Sequence, residues 1–203
     1  MRKSMSLLAG LLLMTAAGLA QQAQPTIVAE GGALDERASA RVLYWNTKAD
    51  TAAGQLAINY GRPVWKKDYE DSAKFDAMTK GKTWRMGSNF WTALVTDLPL
   101  KIGGKSVRPG EYFLGLRRSM DGSSWSLAFI DPVAVRRAHL DAFDIRKATA
   151  VFEAPMSVAK ADSKVDKLTI TLSYPKDNVR NVNMKVAWGN LALTAPVEVT
   201  VQE

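Results

Sequence analysis

"LKIGGKSVRPGEYFLGLRRSMDGSSWSLAFIDP", residues 100–132, decides the fold. Three dipeptides that favour tight turns, Gly103-Gly104, Pro109-Gly110 and Asp121-Gly122, divide it into short segments. Between them Tyr112, Leu114 and Leu116, then Trp125, Leu127 and Phe129, recur at every second position. That spacing places one row of side chains on one face of a strand, so the stretch predicts an antiparallel meander. At its end Asp131-Pro132 has the form of a helix N-cap followed by a first-turn proline, and "VAVRRAHLDAF" (133–143) reads as a short helix or a long connection.

Moving towards the N-terminus, Leu56, Ile58 and Tyr60 alternate with Gln55, Ala57 and Asn59, a half-buried strand that Pro63 prevents from continuing. In "KKDYEDSAKFDAMTKG" (66–81) Asp71 or Ser72 is placed to cap a short helix, Phe75 and Met78 share one face, and Gly81 suits the left-handed position beyond its end. "WTALVTDLPLKI" (91–102) alternates again, with Trp91, Ala93 and Val95 on one side. Towards the C-terminus "ATAVFEAPM", "KLTITLSYP", "NVNMKVAWG" and "LALTAPVEVTVQE" read as four further strands. In the second of these Leu168, Ile170 and Leu172 alternate with Thr169, Thr171 and Ser173, leaving a polar face to solvent. The pattern predicts a mainly β protein: a single antiparallel β-sandwich or barrel-like domain with one or two short helices.

The first twenty residues, "MRKSMSLLAGLLLMTAAGLA", combine two cations, an apolar run from Met5 to Leu13 and small residues ending at Ala20. This is the layout of a secretory signal peptide, and the run is shorter than the ~20 residues a spanning helix needs. Residues 21–40 read as a flexible leader and 41–203 as the folded domain, which places the protein in the periplasm or outside the cell, with no integral membrane segment after cleavage. Export permits disulfides, yet the chain has no cysteine, so burial alone must hold the fold. Loss of Arg2 and Lys3 lowers the net charge of +7 by two, and the remaining cations are scattered. Nucleic acid is therefore not an expected partner.

Chemistry-bearing patterns are sparse. His139 is the only histidine, so a metal site of ordinary composition is not expected, and no phosphate loop or other cofactor motif is present. No G-x-S-x-G elbow occurs, and Glu111, Asp97 and Asp131 lie near turns, where acids are common. A periplasmic hydrolase using carboxylates such as Glu111 or Asp131, with or without His139, is the alternative reading. The main reading is a non-catalytic module that binds a small anion, a glycan or an envelope protein. Its candidate residues come from "NYGRP" and "TWRMGSNFWT": Tyr60, Arg62, Trp84, Arg85 and Asn89, a pair of guanidiniums beside aromatic faces. The competing reading gives the same tryptophans to the core and spends both arginines on loop carbonyls.

"NYGRP", "WRMGSN" with Thr92, and "IGGKSVRPGEYFL" together resemble an uncharacterised, mostly exported bacterial family, domain of unknown function 2911. The matching positions are Tyr60, Arg62, Pro63, Trp84, Arg85, Gly87, Asn89, Thr92, Gly103, Gly104, Lys105, Val107, Gly110 and Tyr112, and the likeness spans about residues 40 to 200. The resemblance implies no activity, substrate or cofactor. Phe90 stands where the family pattern has an acid and Trp91 where it has a small residue, so a catalytic role for that acid would be lost here.

Overall fold

The computed structural model describes residues 36–159 and 163–202. The expected signal peptide and most of the expected leader lie outside them. Twelve strands form one antiparallel sheet: β1 (Arg37–Asn46), β2 (Thr51–Gly61), β3 (Thr83–Arg85), β4 (Thr92–Thr96), β5 (Leu100–Ile102), β6 (Lys105–Val107), β7 (Gly110–Arg118), β8 (Trp125–Ile130), β9 (Ala150–Ala159), β10 (Val165–Ser173), β11 (Asn181–Gly189) and β12 (Leu191–Val199). Two short helices interrupt them, α1 (Ser72–Thr79) and α2 (Pro132–Arg137), with 3-10 turns at Lys67–Glu70 and Ala142–Lys147. The expectation of a mainly β antiparallel domain holds, and the sheet does not close into a barrel.

The main path runs β1-β2-β4-β7-β8-β9-β12-β11-β10. Strand β9 is the corner: Ala150 to Met156 pair with β8, while Ser157 to Ala159 pair with β12. Beyond that corner the sheet folds over, so Leu56, Leu94, Leu114 and Leu127 from one half share a core with Leu168, Val186 and Leu193 from the other. Each such side chain contributes roughly 1.5–3 kcal/mol through removal of apolar surface from water. The smaller second cluster of Trp91, Phe113, Ile130, Val135, Ala142 and Ile145 lies beneath α2 and the 3-10 turn that follows it.

Two local expectations need correction. The stretch 100–132 is two hairpins rather than one continuous meander: β5 pairs with β6 and β12, whereas β7 pairs with β4 and β8. The break falls at Pro109-Gly110, where proline has no N–H to extend a ladder and Gly110 has φ of +145°. In β4 the expected alternation holds: Trp91 and Ala93 pack on one face, with Trp91 stacked on Phe113 at 4.8 Å, while Thr92, Leu94 and Thr96 are buried on the other, where Leu94 enters the main core. Strand β1 begins at Arg37, ahead of the expected Arg41, because Ala38 and Ala40 pair with Tyr60 and Ile58 and the Arg37 guanidinium donates to the Trp91 carbonyl at 3.0 Å. The helix readings stand: Asp71 caps α1, Gly81 follows it at φ +66°, and Asp131 caps α2.

Tyr44 joins β1 to the β10–β11 connection, its hydroxyl donating to the Val179 carbonyl at 2.8 Å. Burial, with a smaller contribution from Tyr174, pushes its pKa from 10.0 up to about 12. A raised pKa means the unfolded chain loses this proton first, so the stabilisation is complete below pH 10 and is lost as pH rises to about 12. Urea midpoints measured across that window should fall more steeply for the parent protein than for Tyr44→Phe. Parallel slopes would remove Tyr44 from the alkaline transition.

Candidate binding site

"NYGRP" ends β2, and the structure places it along the open edge of β10. The Tyr60 hydroxyl accepts from Ile170 N at 2.9 Å and donates to Ile170 O at 3.3 Å. Arg62 Nε donates to Leu168 O at 3.1 Å and its Nη2 to Thr169 Oγ1 at 3.2 Å. The Pro63 carbonyl accepts from Leu168 N at 3.0 Å and from Trp188 Nε1 at 2.8 Å, and Trp65 N donates to Asp166 O at 2.6 Å. Side chains and backbone thus take turns satisfying β10, doing for its outer edge what a neighbouring strand would do. Tyr60 and Arg62 therefore converge on an architectural task.

Trp84 and Arg85 diverge. Adjacent residues on a strand point to opposite faces. Trp84 turns inward and stacks on Trp188 with ring centroids 4.8 Å apart and planes 9° from parallel. Arg85 lies on the other face, its guanidinium 3.7 Å above the ring of Phe143, and its buried Nη1 has no hydrogen-bond acceptor among the described residues. Asn89 occupies the left-handed region at φ +68°, a conformation asparagine tolerates better than most residues. Trp84 and Arg85 thus serve opposite faces of the sheet rather than one site.

The carboxylates and histidine of the hydrolase reading occupy local structural positions. Glu111 pairs with Arg136 at 3.3 Å, Asp131 accepts from Val133 N at 2.8 Å as the α2 cap, and exposed His139 sits beyond α2 at φ +51°. Among the described residues no group of three or more His, Asp or Glu side chains is placed to hold a metal.

What Trp84 does line is an aromatic slot. Tyr69, Phe75, Trp125 and Trp188 supply the other rings, with Met78 and Leu191 completing the walls around a space of about 60 Å³. Trp65 buttresses it from behind, edge-on to Trp188 at 5.0 Å. Helix α1 supplies Phe75 and Met78 from the face that the sequence spacing had already put together. Beside it Arg118, Asp76 and Thr79 bond one another: Arg118 donates to Asp76 at 2.7 Å, to Thr79 Oγ1 at 2.9 Å and to the Gly122 carbonyl at 2.9 Å, while Thr79 donates to Phe75 O at 2.7 Å. Lys80 shares Asp76 at 2.6 Å, and these two cations hold the Asp76 carboxyl below its ordinary pKa. Arg118 also lies 5.7 Å and 5.5 Å from the ring centroids of Phe75 and Trp125. Tyr69, Trp125, Trp188 and Leu191 were missed as site residues, since only their aromatic or apolar character is visible and their partners are remote in sequence.

The model of a family described as a protein of unknown function, DUF2911, matches residues 45–197. The chain belongs to this family. No curated protein and no solved structure matches it. The DUF2911 match runs from the end of β1 to within β12, so it contains both the edge-capping segment along β10 and every residue lining the slot.

Proposed function

We propose that this DUF2911 protein is an exported, non-catalytic binding module, acting in the periplasm or outside the cell, that receives a small uncharged apolar group in the aromatic slot. The observation that carries the reading is a pocket walled by five aromatic rings, beside which Arg118, Asp76 and Thr79 are already hydrogen-bonded to one another. A sugar would find few free donors or acceptors there. A quaternary ammonium would meet Arg118, whose charge already faces two of the rings. A short aliphatic end fits both the chemistry and the size, and burying four or so methylenes at about 0.8 kcal/mol each corresponds to binding in the millimolar range. Export is supported by the charged, apolar and small-residue order of residues 1–20.

Titrating the purified protein with 1-hexanol should change tryptophan emission saturably. Met78 is 38 % exposed, so Met78→Trp should fill the slot without unfolding the protein and weaken hexanol at least tenfold. The absence of saturation, or a stronger response to tetramethylammonium than to hexanol, would reject the apolar assignment. For export, N-terminal sequencing of the protein recovered from the periplasm or medium should begin close to Gln21, and recovery of the uncut chain in the cytosol would reject it.

A further inference from the structure

A second concavity lies beside the β1–β2 turn and shares no lining residue with the aromatic slot. It encloses about 610 Å³, a volume ordinary for a ligand site, between Tyr44 to Lys48 and Ala53 on one side and Val179, Arg180, Val201 and Gln202 on the other. Its chemistry is the reverse of the slot's. Trp45 is 52 % exposed and presents a flat apolar face that the core does not use. Lys48 and Arg180 line the groove, and among the described residues no carboxylate lines it; Asp50, in the same turn, is not part of the wall. Lys48 has no ion-pair partner among the described residues. Asn46 Oδ1 is occupied, accepting from Lys48 N at 3.1 Å and Ala49 N at 2.9 Å, so its Nδ2 remains as a donor, and Thr47 and Gln202 add further polar groups.

The backbone is shaped for this arrangement. Register shifts between Tyr44 and Trp45, where Tyr44 faces Gly54 but Trp45 faces Ala52, so Ala53 is the extra residue of a β-bulge. Bulges bend a strand and re-aim the side chains beside them, and this one puts Ala53 in the groove wall next to Trp45. Tyr44, anchored on Val179 by its hydroxyl, fixes the spacing between the two walls.

We propose that this groove binds an acidic saccharide. The apolar face of a sugar ring stacks on Trp45, its carboxylate or sulfate meets Lys48, and its hydroxyls meet Asn46, Thr47 and Gln202. A single exposed indole beside Lys48 makes a compact site. A nucleic acid strand would need a longer track of positive charge along its backbone.

The test uses the purified protein, with tetragalacturonate and a heparin tetrasaccharide as acidic probes, maltotetraose as the neutral probe and a four-nucleotide oligothymidylate as the nucleic acid. Calorimetry at low salt should show one of the acidic probes binding at least tenfold more tightly than maltotetraose, with the preference shrinking as salt is raised. Trp45→Ala should weaken that probe at least tenfold and Lys48→Ala several-fold, while both variants keep the parent melting temperature and the parent response to hexanol in the slot. Failure of both acidic probes, equal binding of maltotetraose, tighter binding of the oligothymidylate, or indifference to Trp45→Ala would each overturn the assignment. Because the hexanol response reports the slot alone, the loss of either site is read separately from the other.

Discussion

A Tyr60→Phe variant should melt roughly 6–12 °C below the parent protein. The change removes one oxygen and keeps the ring, which is almost wholly buried between the halves of the sheet. That oxygen is the partner of both the N–H and the carbonyl of Ile170, two buried backbone groups on the outer edge of β10. Leaving a buried donor or acceptor unpaired costs about 1–3 kcal/mol, so the pair is worth about 3 kcal/mol when the 3.3 Å bond is counted as the weaker. A domain of this size loses roughly 2–4 °C per kcal/mol. Tyr112→Phe is the control: its hydroxyl donates to the Arg108 carbonyl at 3.1 Å in an exposed setting where water can replace it, and it should shift melting by less than roughly 2–4 °C. Equal shifts for the two variants would mean that β10 finds other partners once Tyr60 is gone.

That prediction rests on a contact between residues 110 positions apart, and such contacts mark the limit of what could be read from the chain. Local patterns were legible: the alternation of Leu114, Leu116, Leu127 and Phe129 around Asp121-Gly122 specifies the β7–β8 hairpin because side-chain period and turn chemistry are short-range properties. The route taken by the sheet was not. Nothing in "GGKSVRPGEY" says that β5, just before it, pairs with β12, nearly a hundred positions on, while the strand after Pro109 pairs with β4. Likewise "VFEAPMSVA" reads as an ordinary strand, although it serves both halves of the sheet in turn.

The binding site shows the same division. Tyr60 and Arg62 stand out by residue type, but their acceptors belong to β10, and only those acceptors reveal that the pair closes an edge. Trp84 and Arg85 look like a unit in sequence and are separated by the pleat, one meeting Trp188 and the other Phe143. Conversely, Trp125 and Trp188 look like ordinary strand residues and join Trp84 in the slot. Trp45 was equally silent, because its exposure depends on a bulge that β-alternation alone does not announce.

Gly61→Ala should cost about 3–5 kcal/mol, lowering the melting temperature by roughly 6–20 °C, although Gly61 needs no left-handed backbone. The reason is proximity. A Cβ at Gly61 would fall well inside contact distance of the Ser88 carbonyl oxygen and 2.7 Å from its carbon, and backbone cannot swing aside as a flexible side chain does. Gly87 mirrors it, with its own added Cβ 3.3 Å from Gly61 N and 2.6 Å from Thr92 Oγ1, the hydroxyl that donates to the Met86 carbonyl. The glycines of "NYGRP" and "WRMGSN" are thus the surfaces on which the end of β2 and the 86–91 loop meet, and Arg37 secures the same loop through the Trp91 carbonyl. Gly104→Ala separates close approach from backbone conformation: Gly104 has φ of +81° but nothing within 4 Å of an added Cβ, so only left-handed strain of about 1–2 kcal/mol is expected. Urea midpoints for the two variants decide the matter. If Gly104→Ala proves as costly as Gly61→Ala, the two motifs do not depend on this contact, and the loop carrying Asn89 is free to move away from β2 without unfolding the domain.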